Sequence, residues 1–209
     1  MILRNFEHHL KIRKGAIHIG ANVGEERYWY VKQGFNPVLW FEPNKDIFPI
    51  LKENIGILSG HYAFNYGIHD EIMGAKLNIA NNAGQSSSIL EFGTHALNHP
   101  DVKYIGEQDI FLRRIDAFFK MYEGFKDLSI ENYNFLNVDV QGVELNVIKS
   151  FGTLIAKMDY VYAEVNEEEV YKGCACVCDI DEYLHIYGFK RVETLITKAK
   201  WGDALYVRN

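Results

Sequence analysis

Two acidic side chains stand where short apolar runs end, and either could take a proton from a hydroxyl. Asp139 follows Asn134-Phe135-Leu136-Asn137-Val138 and opens Asp139-Val140-Gln141-Gly142-Val143-Glu144, while Glu164 and Asn166 come at the close of an apolar run that begins at Asp159. A carboxylate within hydrogen-bond reach of an alcohol acts as a general base. Asp139 is the first candidate and Glu164 the second; either could instead bind an ammonium group or orient substrate hydroxyls. Asp139 could also serve only as a helix cap.

A third carboxylate, Glu42, ends Pro37-Val38-Leu39-Trp40-Phe41 and precedes Pro43 and Asn44. It lies about 20 residues beyond the glycine loop Gly20-Ala21-Asn22-Val23-Gly24, the spacing at which a strand-end carboxylate accepts the ribose hydroxyls of an adenosine. The loop fails the dinucleotide fingerprint, because the positions of its second and third glycines hold Asn22 and Glu25. A glycine loop and a ribose carboxylate without the pyrophosphate glycines suit S-adenosylmethionine, which has an adenosine and no phosphates. A nicotinamide dehydrogenase is accordingly a distant reading.

These side chains need elements to place them. Gly15 to Ile19 reads as a buried strand, followed by a helix from Glu25 to Gln33 that Gly34 stops. Asn44 is expected to cap a helix over Lys45 to Asn54, with Pro49 awkward inside it. His61 to Tyr66 reads as a third strand, and Gly67-Ile68-His69-Asp70 as the loop that would face adenine. Ala75 to Ala80 is an extra strand. The polar stretch Asn81 to Ser88, which holds Ser86, Ser87 and Ser88, is a candidate substrate lid or an ordinary surface loop. A strand entering a helix is expected over Asp109 to Phe119, and a helix over Glu144 to Phe151 closed by Gly152. A further helix, Asp179 to Tyr187, stops at Gly188, after which Phe189 to Ile196 and Ala204 to Val207 pair across Lys198 to Asp203. Alternating strands and helices define an α/β domain over residues 15–209 after a lead-in over residues 1–14.

Composition excludes several classes. The 209 residues, 48% of them hydrophobic, suffice for one full core. A net charge of −6, from 22 basic and 28 acidic residues spread along the chain, leaves no footprint for a nucleic-acid backbone. Arg4 and Glu7 interrupt the first apolar stretch and no run of about twenty apolar residues follows, so a cytoplasmic protein without a membrane span is expected. Cys174, Cys176 and Cys178 alternate too closely to pair and fit reduced, half-buried thiols. A zinc site using His185 as fourth ligand is the minor alternative. No required metal is expected, and a homo-oligomer stays open.

Taken in order, His18-Ile19-Gly20-Ala21-Asn22-Val23-Gly24, Phe41-Glu42-Pro43-Asn44, Ser86-Ser87-Ser88, Asp139-Val140-Gln141-Gly142-Val143-Glu144 and Gly188-Phe189 resemble the FkbM-type methyltransferase family from about Gly15 to the C-terminus. The resemblance implies a class I methyltransferase (Rossmann-like) fold: a seven-stranded, mostly parallel sheet with helices on both faces and a reversed last strand. It further implies methylation of hydroxyl groups with S-adenosylmethionine, giving S-adenosylhomocysteine, on a sugar, glycoconjugate or secondary metabolite. Carried over residue by residue, His18, Gly20, Ala21, Asn22, Gly24, Glu42, Pro43, Asn44 and Asp139 would hold the cofactor, joined by Gly67 and Ile68 of the expected adenine-facing loop. Ser86, Ser87, Ser88 and Glu144 would face the acceptor, as would Gln141 with its charge lost; Asp139 is the catalytic candidate carried over, and Glu164, which lies in none of these motifs, joins it from its strand-end position. Two positions depart from the family pattern: His18 stands where an aspartate is usual, and Gln141 replaces a glutamate, which keeps hydrogen-bonding capacity and removes a charge. A non-catalytic protein of the same fold, binding a glycan or a protein partner, is the alternative these departures raise.

Overall fold

The computed structural model describes residues 6–208; residues 1–5 of the expected lead-in and Asn209 lie outside that range. In chain order the strands are β1 (Gly15–Ile19), β2 (Val38–Phe41), β3 (His61–Phe64), β4 (Gly67–Ile68), β5 (Met73–Ala80), β6 (Tyr104–Arg113), β7 (Tyr133–Val138), β8 (Tyr160–Asn166), β9 (Phe189–Ile196) and β10 (Trp201–Arg208). The helices are α1 (Arg27–Gln33), α2 (Phe48–Ile55), α3 (His95–Asn98), α4 (Ile115–Met121), α5 (Glu144–Lys149) and α6 (Val177–Ile186). Seven strands form one sheet in the order β3-β2-β1-β7-β8-β10-β9. β3 through β8 in that order run parallel, and β10 is antiparallel to both of its neighbours.

Every residue of β1, β2, β7 and β8 is buried, which is why these strands read as near-continuous apolar runs. The two-residue period sends alternate side chains to opposite faces. Ile17, Leu39, Leu136 and Val161 pack with Phe118 of α4, Ile148 of α5 and Leu184 of α6. Ala16, Val38, Trp40 and Phe135 pack on the other face with Tyr30 of α1 and Leu51 and Ile55 of α2. Leu39 and Leu136 expose no surface, so truncating either to alanine would cost about 2–5 kcal/mol.

Several element boundaries differ from the sequence reading, each for a local reason. α2 starts at Phe48, so Pro49 falls in its first turn, where a missing N–H costs no hydrogen bond. Asn44 instead closes the turn before it, its Oδ1 accepting from the Asp46 and Ile47 amides. Gly67-Ile68 is a short strand, β4, and not a loop; with β6 and β5 it builds a second, three-stranded sheet in the order β4-β6-β5. β6 reaches back to Tyr104, and its pairing with β5 over Met73–Ala80 carries Leu77, Ile110 and Leu112 into a small core of their own. Gly34 ends α1 in the left-handed conformation, as its position demands.

Candidate functional site

β1 leads to β2 and β3 on one side of the large sheet, and β7 leads to β8 on the other, so a crevice opens at the carboxyl ends of β1 and β7. Gly20 turns there with φ +83°, and the Gly20 and Ala21 amides both donate to Phe41 O at 3.0 Å. The Asp139 amide donates to Ile19 O at 3.0 Å, which ties the two strand ends together. A Cβ on residue 20 would stand 1.7 Å from Asp139 O. Glu42, at the end of β2, is gripped from both sides: the Asn22 amide donates to Oε2 at 2.8 Å and the Asn44 amide to Oε1 at 2.7 Å. Burial outweighs these two donors and raises its pKa to about 7.

The crevice deepens into a cavity of about 420 Å³, a size suited to a small organic ligand. His18, Gly20, Ala21 and Asn22 line it from the β1 end, with Glu42 and Pro43 beside them. Gly67 and Ile68 of β4 also line it, as do Ser86, Ser87 and Ser88. The serine loop folds back on β5 through paired hydrogen bonds between Asn78 and Ser88, which brings it over the crevice. Asp139, Gln141 and Glu164 complete the lining from the β7 and β8 side.

Three residues expected at the site stand behind it. Gly24 (φ +72°) faces Leu51, and its bare Cα lets α2 pack closely. Asn44 forms the turn described above. Glu144 is buried, and its carboxylate accepts from the Val140 amide at 3.1 Å and the Gly142 amide at 3.0 Å, which shapes the turn after β7. Burial raises its pKa to about 7.

Gln141 is the hub of the acidic side. Its φ of +59° is unusual for a residue with a side chain, and Ser88 Oγ, donating to Gln141 O at 2.7 Å, holds the turn. Its Nε2 donates to Asp139 Oδ1 at 2.6 Å and to Glu164 Oε2 at 3.0 Å. Asp139 opens its surface to the cavity although protein surrounds it in depth. Burial raises its pKa to about 6, with Asp203 adding to the rise and Gln141 opposing it. Glu164 is pushed well above the usual carboxylate range, first by burial and then by the charge of Asp139. The cavity is also lined by Glu25, Glu26 and Asp203, and no Lys or Arg among the described residues lines it, so its field favours a cationic ligand.

His18 is stacked on Trp40 with ring centroids 5.1 Å apart, and its Nδ1 lies 3.2 Å from Tyr30 Oη. Asn137 Nδ2 donates to the same Oη, so the tyrosine proton is left for Nδ1 and the imidazole proton is assigned to Nε2. Burial lowers the His18 pKa and favours this neutral form. Where the family pattern has a negative charge, this chain has a neutral ring.

Sequence reasoning missed Tyr171, Asp203 and His95, all of which line the cavity. Asp203 falls inside β10, directly across from Glu164, and not in the turn expected there. His95 rides on α3, with Nε2 3.2 Å from Ser86 Oγ, and burial, helped by His99, pushes its pKa down to about 4. No local pattern marks any of the three. The three cysteines are free thiols, and Cys176 caps α6. Among the described residues, the grouping with three metal-ligand atoms in reach of one another is His8, His9 and Glu193, away from this cavity. No helix among them is long and apolar enough to cross a membrane.

An open, mostly parallel sheet with one reversed strand next to its edge and a cavity at the β1–β7 switch point defines the class I methyltransferase fold. Known proteins of this fold superpose on most of the chain. A magnesium protoporphyrin IX methyltransferase from Synechocystis, solved with bound S-adenosylmethionine, has a TM-score of 0.51 at 10% identity over 94% of this chain and 71% of its own. A ribosomal-protein methylase from Lactobacillus delbrueckii subsp. bulgaricus has a TM-score of 0.51 at 12% identity, covering 97% of this chain and 74% of its own. Residues 18–191 match the methyltransferase FkbM domain, and the chain belongs to that family. Among curated proteins, the 2-O-methyltransferase NoeI of Sinorhizobium fredii is 25% identical over 162 residues, which is 74% of this chain; the match spans 64% of that relative's length.

Proposed function

We propose that this chain transfers a methyl group from S-adenosylmethionine to a hydroxyl of a sugar, glycoconjugate or secondary metabolite. The observation that carries the reading is the joining, in one cavity, of a clamped ribose-type carboxylate, Glu42, with a bridged carboxylate pair, Asp139 and Glu164. Glu42 keeps lone pairs beyond those its two backbone donors occupy and is suited to the two ribose hydroxyls. The bare Cα of Gly20 lets the end of β1 close against the Asp139 carbonyl at the cavity mouth, and the uncompensated carboxylates suit a cationic sulfonium and ammonium. The relative named as a 2-O-methyltransferase supports oxygen as the methylated atom.

When bound, S-adenosylmethionine supplies a methyl group already activated on sulfur, so the protein's part is orientation, exclusion of water and disposal of one proton. Asp139 takes the proton of the acceptor hydroxyl through the oxygen that Gln141 leaves free, and Glu164 orients the acceptor. The serine loop closes the acceptor side, where Ser86 and Ser87 can exchange hydrogen bonds with a polyol while the Ser88 hydroxyl stays committed to the Gln141 carbonyl and the Leu90 amide.

Calorimetry should give saturable binding of S-adenosylmethionine and none of nicotinamide dinucleotides. Incubation with a panel of methyl glycosides should then release S-adenosylhomocysteine in proportion to methylated product. Binding of neither S-adenosylmethionine nor S-adenosylhomocysteine would overturn the reading.

A further inference from the structure

Tyr171 has no part in the mechanism above, yet it is almost fully buried and lines the same cavity. It follows the exposed acidic run Glu167-Glu168-Glu169, and its strand-like contact with Phe92 turns its ring inward. Its hydroxyl donates to Gln141 Oε1 at 2.5 Å, and the Ser86 side chain lies within hydrogen-bond reach of that same tyrosine hydroxyl.

A side-chain amide has one strong acceptor atom and two donor hydrogens. At Gln141 all are used: Oε1 accepts from Tyr171, and Nε2 gives one N–H to Asp139 Oδ1 and one to Glu164 Oε2. Turned over, the amide would press its carbonyl oxygen against two carboxylate oxygens and face the tyrosine O–H with an NH₂ group. The backbone of this turn is already fixed by Ser88 and Glu144, so the side-chain orientation is what remains to be set.

We infer that Tyr171 is a positioning residue whose hydroxyl fixes the Gln141 amide the one way round in which it bridges Asp139 and Glu164. The consequence for catalysis rests on the reading of Asp139 as proton acceptor: the bridge leaves its second oxygen free and keeps the carboxylates apart. Around the pair, Asp203 of β10 opposes ionisation of both, Glu26 beside α1 opposes that of Asp139 and Glu144 of α5 that of Glu164, while Asp139 in turn opposes ionisation of Glu42. The two N–H groups of Gln141 are the counterweight. Without the tyrosine hydroxyl the amide loses its anchor at Oε1, its N–H groups hold the two carboxylates less firmly, and both carboxylates should keep their protons to higher pH.

The test is a carboxyl ¹³C NMR titration of the ligand-free chain, comparing the unmodified protein with Tyr171→Phe, Gln141→Leu and the double variant. Tyr171→Phe should raise the Asp139 midpoint by about one pH unit while the amide spectrum keeps its dispersion. Gln141→Leu should raise it by itself, and adding Tyr171→Phe should then change nothing, because the tyrosine acts through the amide. An unmoved midpoint in Tyr171→Phe, or an equal rise in both backgrounds, overturns the inference. If Tyr171→Phe does not fold, the unmodified protein decides: two inequivalent, exchange-protected Gln141 amide protons are expected, and rapid exchange of both overturns it. No acceptor is needed, so full turnover by Asp139→Asn would remove the general-base reading and leave this result standing.

Discussion

The Cα of Gly20 and the carbonyl oxygen of Asp139 meet so closely that a side chain at position 20 would run into the backbone of the neighbouring strand end. The residue that turns the end of β1 at the cavity and the residue proposed to take the proton are therefore parts of one junction, closed by the hydrogen bond from the Asp139 amide to Ile19 O.

Gly20→Ala should accordingly damage both fold and function. A left-handed alanine costs about 1–2 kcal/mol and overpacking typically about 1–3 more. Thermal unfolding should show a large drop in Tm, whereas Gly74→Ala, where a Cβ would meet nothing within 4 Å, should leave it nearly unchanged.

Glu42→Gln should weaken S-adenosylmethionine binding roughly tenfold to a hundredfold by calorimetry, the usual cost of losing hydrogen bonds to a charged acceptor. It should also flatten a pH dependence. Glu42 has a folded-state pKa of about 7 against 4.5 for an ordinary glutamate, so the native chain holds its proton where the unfolded chain has released it. Stability from this group is full below about 4.5 and falls as pH rises toward 7. The ligand-free Glu42→Gln variant should lose less stability between those values, and an identical slope would count against the assignment.

Asp139→Asn should keep the fold and lower kcat by about 10²–10⁴-fold if Asp139 accepts the proton. The active form is the carboxylate, so kcat/KM of the unmodified protein should be lost as pH falls through about 6, and the variant should lack that limb. Should Asp139 instead hold the cofactor ammonium, the affinity for S-adenosylmethionine falls and single-turnover transfer at saturation is spared.

Replacing Ser86, Ser87 and Ser88 together with alanine should raise the acceptor KM or lower kcat while cofactor Kd moves little. Ser88→Ala alone frees the Gln141 carbonyl and should account for most of the kcat part, leaving KM to the other two. A triple variant that loses cofactor binding and acceptor binding equally would contradict a loop on the acceptor side.

Much of this site is legible in the sequence because its signals are local. The all-buried runs of β1, β2, β7 and β8, the turn glycines and the carboxylates at strand ends each show within a few residues, and Asp139, Glu164 and Glu42 follow directly. What only the tertiary structure decided depends on pairing between distant segments. The antiparallel register of β10 on β8 sets Asp203 opposite Glu164, and the pairing of β5 with β6 makes a second sheet that swings the serine loop and His95 over the crevice. The role of Gln141 was equally hidden: its amide is given a direction by a tyrosine 30 residues away and a meaning by a carboxylate 23 residues away. Residue types fix which hydrogen bonds a side chain can make, but which of them form is fixed by strand register and by the close approach of loops, and neither is written in any one stretch of chain.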